Sequence, residues 1–250
     1  MRRSGEVDGR IAAFVNFRQT RPPLNGVPPP AEQVDRRSDS TRLQILRAAS
    51  RLFARSSYSR VNLDDILTDA AVTKGAMYFH FRSKHALASA IVELRMEEAR
   101  ASVDEVLARR LSGLETLVDM SFRLAVDDIG SEVARAGLNL LESIGRTDGL
   151  QPDILRRWVE GYAKVIDRAV VEGDIRDHDD TAAIGRLLVS VYMGLRQTSD
   201  LDDPERFIRD LQSAWMLLLP GLAYQDRISY LAEFVKRRTA VAIKMATPLA

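Results

Sequence analysis

No cysteine occurs in the 250 residues of this chain. That absence removes disulfides, thiolate metal sites and cysteine nucleophiles together, and it suits a reducing compartment. No apolar run approaches the roughly 20 residues that span a bilayer. The segment Ile11-Ala12-Ala13-Phe14-Val15-Asn16-Phe17 is too short and too interrupted for a signal peptide. A soluble, cytoplasmic protein with no membrane association is therefore expected. Histidine is scarce, at His80, His85 and His178. There is no Gly-rich phosphate loop, nucleophile elbow or pair of zinc ligands, so no catalytic residue, metal ligand or cofactor is assigned. A helical metal-dependent enzyme would have to be built on the cluster Asp174, Asp177, His178, Asp179 and Asp180. The preferred reading of that cluster is a solvated turn whose acids favour the next helix N-terminus. Strand-like alternation and internal repeats are missing as well.

What is present is charge separated along the chain. The net charge is only +1. Residues 1–95 carry 16 Lys+Arg against 9 Asp+Glu, a balance of +7; residues 96–250 carry 20 against 26, a balance of −6. A basic head joined to an acidic body is what a phosphate-binding module on a non-DNA-binding domain would show.

Residues 1–37 read as a disordered extension, because Pro22, Pro23, Pro28, Pro29 and Pro30 oppose helix and little apolar periodicity is present. Its arginines would reach DNA only if it served as an arm. From Ser38 the pattern turns helical. Thr41 and Gln44 have capping-box spacing, and Ile45, Ala49, Leu52 and Phe53 form one apolar stripe. Asn62 caps a short helix over 63–70, Ala71-Val72 makes a turn, and Thr73 caps a third helix through His80. Ser83 caps a long fourth helix with Leu87, Ile91 and Leu94 on one face. Further helices are expected near 113–128, 131–145, 153–173, 180–198, 204–219 and 226–245. The fold class is all-α: a three-helix helix-turn-helix DNA-binding domain over 38–84, then a helical effector-binding and dimerisation domain over 85–250.

Two short helices across a tight turn, braced by a third, make a helix-turn-helix whose second member enters the major groove. Thr73 caps that helix and offers its hydroxyl and the helix N-terminus to a phosphate, and Lys74 adds a cation there. Gly75 removes the Cβ that would hold the backbone off the groove, and Ala76 keeps the same face small. Tyr78 and His80 are placed to donate to flanking phosphates, with Lys84 just beyond. Phe79 and Phe81 are expected in the core.

The run from Thr73 to Phe81, followed by Ser83, Lys84 and Leu87, resembles the recognition-helix signature of the TetR family of repressors. The stretch from Ile45 to Phe53, with Tyr58 and then Val61 to Ala71, is similar to that family's first two helices. This resemblance implies a homodimer whose two heads read a palindromic double-stranded DNA operator while the body binds a small molecule. The long N-terminal extension and Ser56-Ser57, where a glycine-containing turn is commoner, depart from the pattern.

Beyond the head, Leu155, Trp158, Val159, Tyr162, Val165, Ile166 and Ala169 share one apolar face. Trp158 and Tyr162, one turn apart, are candidate effector contacts, with Phe122, Leu138 and Tyr192 as further lining residues. Tyr78 to Phe81, Arg135 to Leu138, and Trp158 more loosely resemble the γ-butyrolactone receptor subgroup, which implies a lactone contact for Trp158. A fatty acyl compound or a drug is the alternative effector. Two stripes, Ile184/Leu187/Leu188/Val191/Leu195 and Phe207/Leu211/Trp215/Leu218, are candidates for a four-helix dimer contact, with intramolecular packing as the alternative.

Overall fold

The first helix begins earlier than its sequence cap suggests. In the computed structural model, which describes residues 31–176 and 180–249, helix α1 spans Ala31–Arg55. Of the expected extension, residues 1–30 lie outside the described residues, whereas 31–37 are helical. No Gly or Pro interrupts 31–55, so nothing local stops the helix at Thr41. Thr41 lies inside the helix, and Gln44 does not reach back to it. Instead the Gln44 amide donates to the Ala70 carbonyl at 2.7 Å.

Nine further helices follow among the described residues: α2 (Leu63–Asp69), α3 (Lys74–His80), α4 (Lys84–Leu107), α5 (Gly113–Gly130), α6 (Glu132–Ser143), α7 (Leu150–Val171), α8 (Thr181–Thr198), α9 (Pro204–Leu222) and α10 (Gln225–Met245). The backbone pairing outside them includes one isolated bridge, Ile175 to Ala223. No described helix is long and apolar enough to cross a membrane.

By contact, the described chain divides into two compact units: 31–98 with 132–148, and 99–131 with 149–249. The boundary expected from sequence falls after residue 84, and by contact the first unit continues beyond it. The first unit keeps α4 as far as Glu98 and also takes α6, whose apolar face buries Ala134, Leu138, Leu140 and Leu141. In this unit the Asn139 amide donates to the Phe53 carbonyl at 3.0 Å, tying α6 to the end of α1. Gly137 is required there: a Cβ at this position would sit 2.4 Å from the Arg95 Cβ on α4. Arg51 on α1 pairs with Asp69 on α2 at 2.7 Å, an exposed contact that adds little energy but fixes register.

The turn between α2 and α3 passes through Ala71, whose φ of 50° is left-handed. An L-residue pays about 1–2 kcal/mol in that region, and glycine does not. Ala71→Gly is therefore expected to stabilise the first unit by roughly 0.5–1 kcal/mol after glycine's larger unfolded-state entropy is deducted. The check is a urea midpoint; a lower midpoint would show that the turn is not strained.

The second unit is organised around α5, which is buried on nearly every side: Leu114, Leu117, Val118, Phe122, Ala125 and Ile129 all lie in one core. A helix buried on most of its sides belongs at the centre of a bundle. Ser112 starts it with a reciprocal cap, since the Ser112 N–H donates to Glu115 at 2.9 Å and Ser112 Oγ accepts from the Glu115 N–H. The stripe Phe207, Leu211 and Trp215, expected at a dimer contact, is buried in this same core. The faces of α8 and α9 left outward instead carry Leu187, 46% exposed, and Leu217, 82% exposed.

Candidate nucleic-acid interface and effector cavity

Helix α3 is two turns long, and its sequence sorts cleanly between inside and outside. Met77 is wholly buried, and Phe81 four residues on is buried at the C-cap. The opposite face exposes Thr73, Lys74, Gly75, Tyr78 and Phe79, while Ala76 and His80 are half-buried. The Thr73 hydroxyl accepts from the Ala76 N–H at 3.2 Å and caps the helix. Its own proton remains available to a phosphate oxygen. A Cβ at Gly75 would meet only Thr73 Oγ1, at 3.9 Å, so within the free chain nothing requires glycine there.

Phe79 corrects the sequence reading. It was expected in the core with Phe81, yet it is 79% exposed, with the His80 ring edge-on to it at 5.0 Å. Residues two apart on a helix do not share a face, so Met77 and Phe81 pointing inward sends Phe79 outward. The i, i+4 spacing of Met77 and Phe81 carried that signal.

Lys84 also differs from the other cations of the head. Its ammonium donates to the Tyr58 carbonyl and lies 4.2 Å from the centre of the Tyr58 ring. Burial pushes its pKa below the usual lysine value. The charge is engaged inside the first unit, so Lys84 acts as a brace, whereas Lys74 is exposed at the start of α3. Lys74→Ala is expected to flatten the log–log salt dependence of DNA binding by about 0.9, the share of one phosphate contact. Lys84→Met should leave that slope nearly unchanged and cost about 1–2 kcal/mol of head stability. Salt titrations and urea curves on both variants check this pair; equal slopes for both would contradict the division of roles.

The proposed effector residues do not converge on one space. Leu138 lies in the first unit, buried on α6. Phe122 is buried in the second unit but lines an arginine-walled cavity with Arg109, Arg123 and Arg238. Tyr162 and Tyr192 do meet, with Ser121, Leu188, Leu211 and Trp215, around a cavity of ≈ 10 Å³. That is room for about one water molecule. Trp158 is half-buried against the same core one turn from Tyr162 and does not line this cavity.

The polar tips around the cavity are unequal. The Tyr192 hydroxyl donates to Asp128 at 2.9 Å, and the Trp215 indole N–H donates to Ser121 at 2.7 Å. Burial alone pushes the Tyr162 phenol up to about 12, so it stays a neutral donor at ordinary pH. Sequence reading missed the ion pair behind Tyr192, where Arg196 and Asp128 meet at 3.0 Å, both almost fully buried. An acid at position 128 within the apolar run of α5 was the available signal. Of the acidic cluster after Gly173, residues 177–179 lie outside the described residues. Asp174 is buried against Arg227 at 2.7 Å, and Asp180 caps α8 through the Ala183 N–H. No group of metal-ligating side chains occurs among the described residues.

Two family models match the chain. Residues 45–91 fit "Bacterial regulatory proteins, tetR family", and residues 111–224 fit "Tetracyclin repressor-like, C-terminal domain". The chain is 29% identical to the A-factor receptor protein of Streptomyces griseus over 78% of its own length and 68% of that relative's. Among solved structures it is similar to a γ-butyrolactone receptor described as ArpA-like, with 31% identity, a TM-score of 0.68, and coverage of 82% of this chain and 99% of that one. It is also similar to the TetR family protein CprB of Streptomyces coelicolor, solved with its biological operator sequence. There the identity is 30%, the TM-score 0.68, and the coverage 80% and 98%.

Proposed function

Because the chain belongs to the TetR family of bacterial regulatory proteins, we propose that it is a ligand-responsive repressor that binds a palindromic operator as a homodimer. The observation that carries this reading is the outward face of α3. Thr73, Lys74, Gly75, Tyr78 and Phe79 stand clear of the fold on a capped helix, small at Gly75 and cationic at Lys74. Such a face suits the major groove, where a phenyl edge against a thymine methyl and hydroxyl or ammonium donors to phosphates supply contacts. CprB, to which this chain is similar over 98% of that protein's length, was solved with its operator. The paired heads would contact successive major grooves about 34–36 Å apart.

The effector proposed is a small, mostly apolar molecule with one hydrogen-bond acceptor, such as a γ-butyrolactone. Support comes from the receptors this chain resembles and from Tyr162, whose buried neutral phenol faces an apolar cavity. The cavity is far too small in the present state, so ligand must favour a more open arrangement along α7, from Tyr162 towards Trp158. A ligand that binds only that arrangement shifts the population away from the DNA-competent state by its differential affinity. Helix α4 is the continuous element through which this passes, since it contributes residues to both compact units.

Trp158→Ala tests the assignment. The side chain is only half-buried, so truncation should cost about 1–2 kcal/mol, less than the roughly 3–5 of a fully buried tryptophan. Operator affinity is expected to persist while release by a γ-butyrolactone is lost. Normal release in a stable Trp158→Ala protein removes Trp158 from the effector site.

A further inference from the structure

We propose that the second unit holds another small-molecule site, between α5 and α10, for a short-chain carboxylate amphiphile. It is a cavity of ≈ 140 Å³ whose lining is divided by chemistry. Three arginines, Arg109, Arg123 and Arg238, line it together with the apolar Phe122, Val126 and Val241. It shares no lining residue with the small cavity at Tyr162.

No carboxylate lines this space, because the acids stand behind the arginines. Asp119 lies beneath them, 0% exposed, and is the partner of both Arg109, at 2.7 Å, and Arg238. Asp119 thus serves two guanidiniums, and neither Arg109 nor Arg238 has it to itself. Arg123 reaches Asp127 at 3.2 Å and the well-exposed Glu105 at 3.4 Å. Asp127 is itself shared, since it accepts from the Ser102 hydroxyl at 2.8 Å. The buried Nε–H of Arg238 has no acceptor among the described residues. The space therefore offers guanidinium donors and apolar carbon in one lining.

Guanidinium forks match carboxylates in geometry, and a low-dielectric wall strengthens that match. A cavity of about 150 Å³ holds a benzene-sized guest, so the present volume suits a head group with a few carbons. The mouth is edged by Val241, 39% exposed, and Met245, 50% exposed, along which a longer alkyl chain can continue towards solvent. Two features exclude other guests. A free inorganic anion leaves the apolar lining unused, and an uncharged alcohol cannot accept the paired N–H groups of a guanidinium fork. A bound carboxylate would link the last turns of α10 to α5 and stabilise the second unit by mass action.

The test uses the full chain and octanoate as the probe, read by titration calorimetry. Octanoate is expected to bind saturably at one site per chain, with 1-octanol weaker by roughly tenfold or more because it lacks the charge-assisted bonds. Met245→Glu places an anion at the mouth without touching the core. It should weaken octanoate by about tenfold or more at an unchanged melting temperature, while Met245→Gln keeps wild-type binding. Saturable binding that Met245→Glu leaves intact, equal binding of octanoate and 1-octanol, or no saturable heat from octanoate would each overturn the proposal.

Discussion

A Gly75→Leu protein is expected to fold as well as the wild type and to lose its DNA. In the free chain the position is exposed, and the nearest atom to an added Cβ is Thr73 Oγ1 at 3.9 Å. Leucine is also the better helix former by close to 1 kcal/mol, so the melting temperature should hold or rise. On DNA the branched side chain would stand between the backbone of α3 and the groove floor, and affinity should fall by about 100-fold or more, equivalent to roughly 2.7 kcal/mol. Gly75→Ala should fall between the two. A folded Gly75→Leu protein within threefold of wild-type affinity would mean that this face of α3 does not enter the groove.

The largest expected effect on stability comes from the second unit. Asp128→Ala removes the carboxylate that meets Arg196 at 3.0 Å and accepts from the Tyr192 hydroxyl at 2.9 Å. Arg196 is 6% exposed, so its charge would be left buried without that counter-ion. Breaking such a pair from one side costs about 3–5 kcal/mol, a large part of the 5–15 kcal/mol by which a domain is stable. Replacing both partners, as in Asp128→Leu with Arg196→Met, should recover most of the loss because no buried charge remains. Urea unfolding of the two variants reads the difference. A single variant that loses less than about 1 kcal/mol would show that water or a rearranged neighbour solvates Arg196.

The head was legible in the sequence where local chemistry fixes the structure. Thr73 caps α3 by its hydroxyl, the Ala86 N–H donates to Ser83 at 3.0 Å at the start of α4, and Asn62 precedes α2. Caps are short-range, and the residues that make them are few. Where two local signals competed, the sequence was a weaker guide. Thr41 and Gln44 have capping-box spacing, but a stretch without Gly or Pro carries α1 back to Ala31, and Gln44 holds the end of α2 instead. Phe79 looked like core by composition, while the helical spacing from Met77 placed it outside.

The body was less legible because its decisive contacts are long-range. Phe207, Leu211 and Trp215 make an apolar stripe that fits a dimer contact or an intramolecular core equally well, and only the packing of α9 on α5 separates the two. Leu138 reads as another body residue until α6 is found packed in the head unit, tied to Phe53 through Asn139. Likewise Asp119 and Asp128 find their arginines at positions 109, 238 and 196, far apart in sequence except for the first. Buried acids in an apolar helix imply distant cations without saying which.

As a homodimer this chain is expected to read DNA through α3 of each of two symmetric heads. Selection of bound fragments from a random double-stranded DNA pool by the full-length protein, sequenced after several rounds, tests it most directly. An enriched palindrome is expected, with half-sites centred about 34–36 Å apart or at a multiple of that spacing, and the enrichment is lost in Gly75→Leu. Failure to enrich any sequence, or enrichment of a single unpaired half-site that Gly75→Leu still selects, would contradict it.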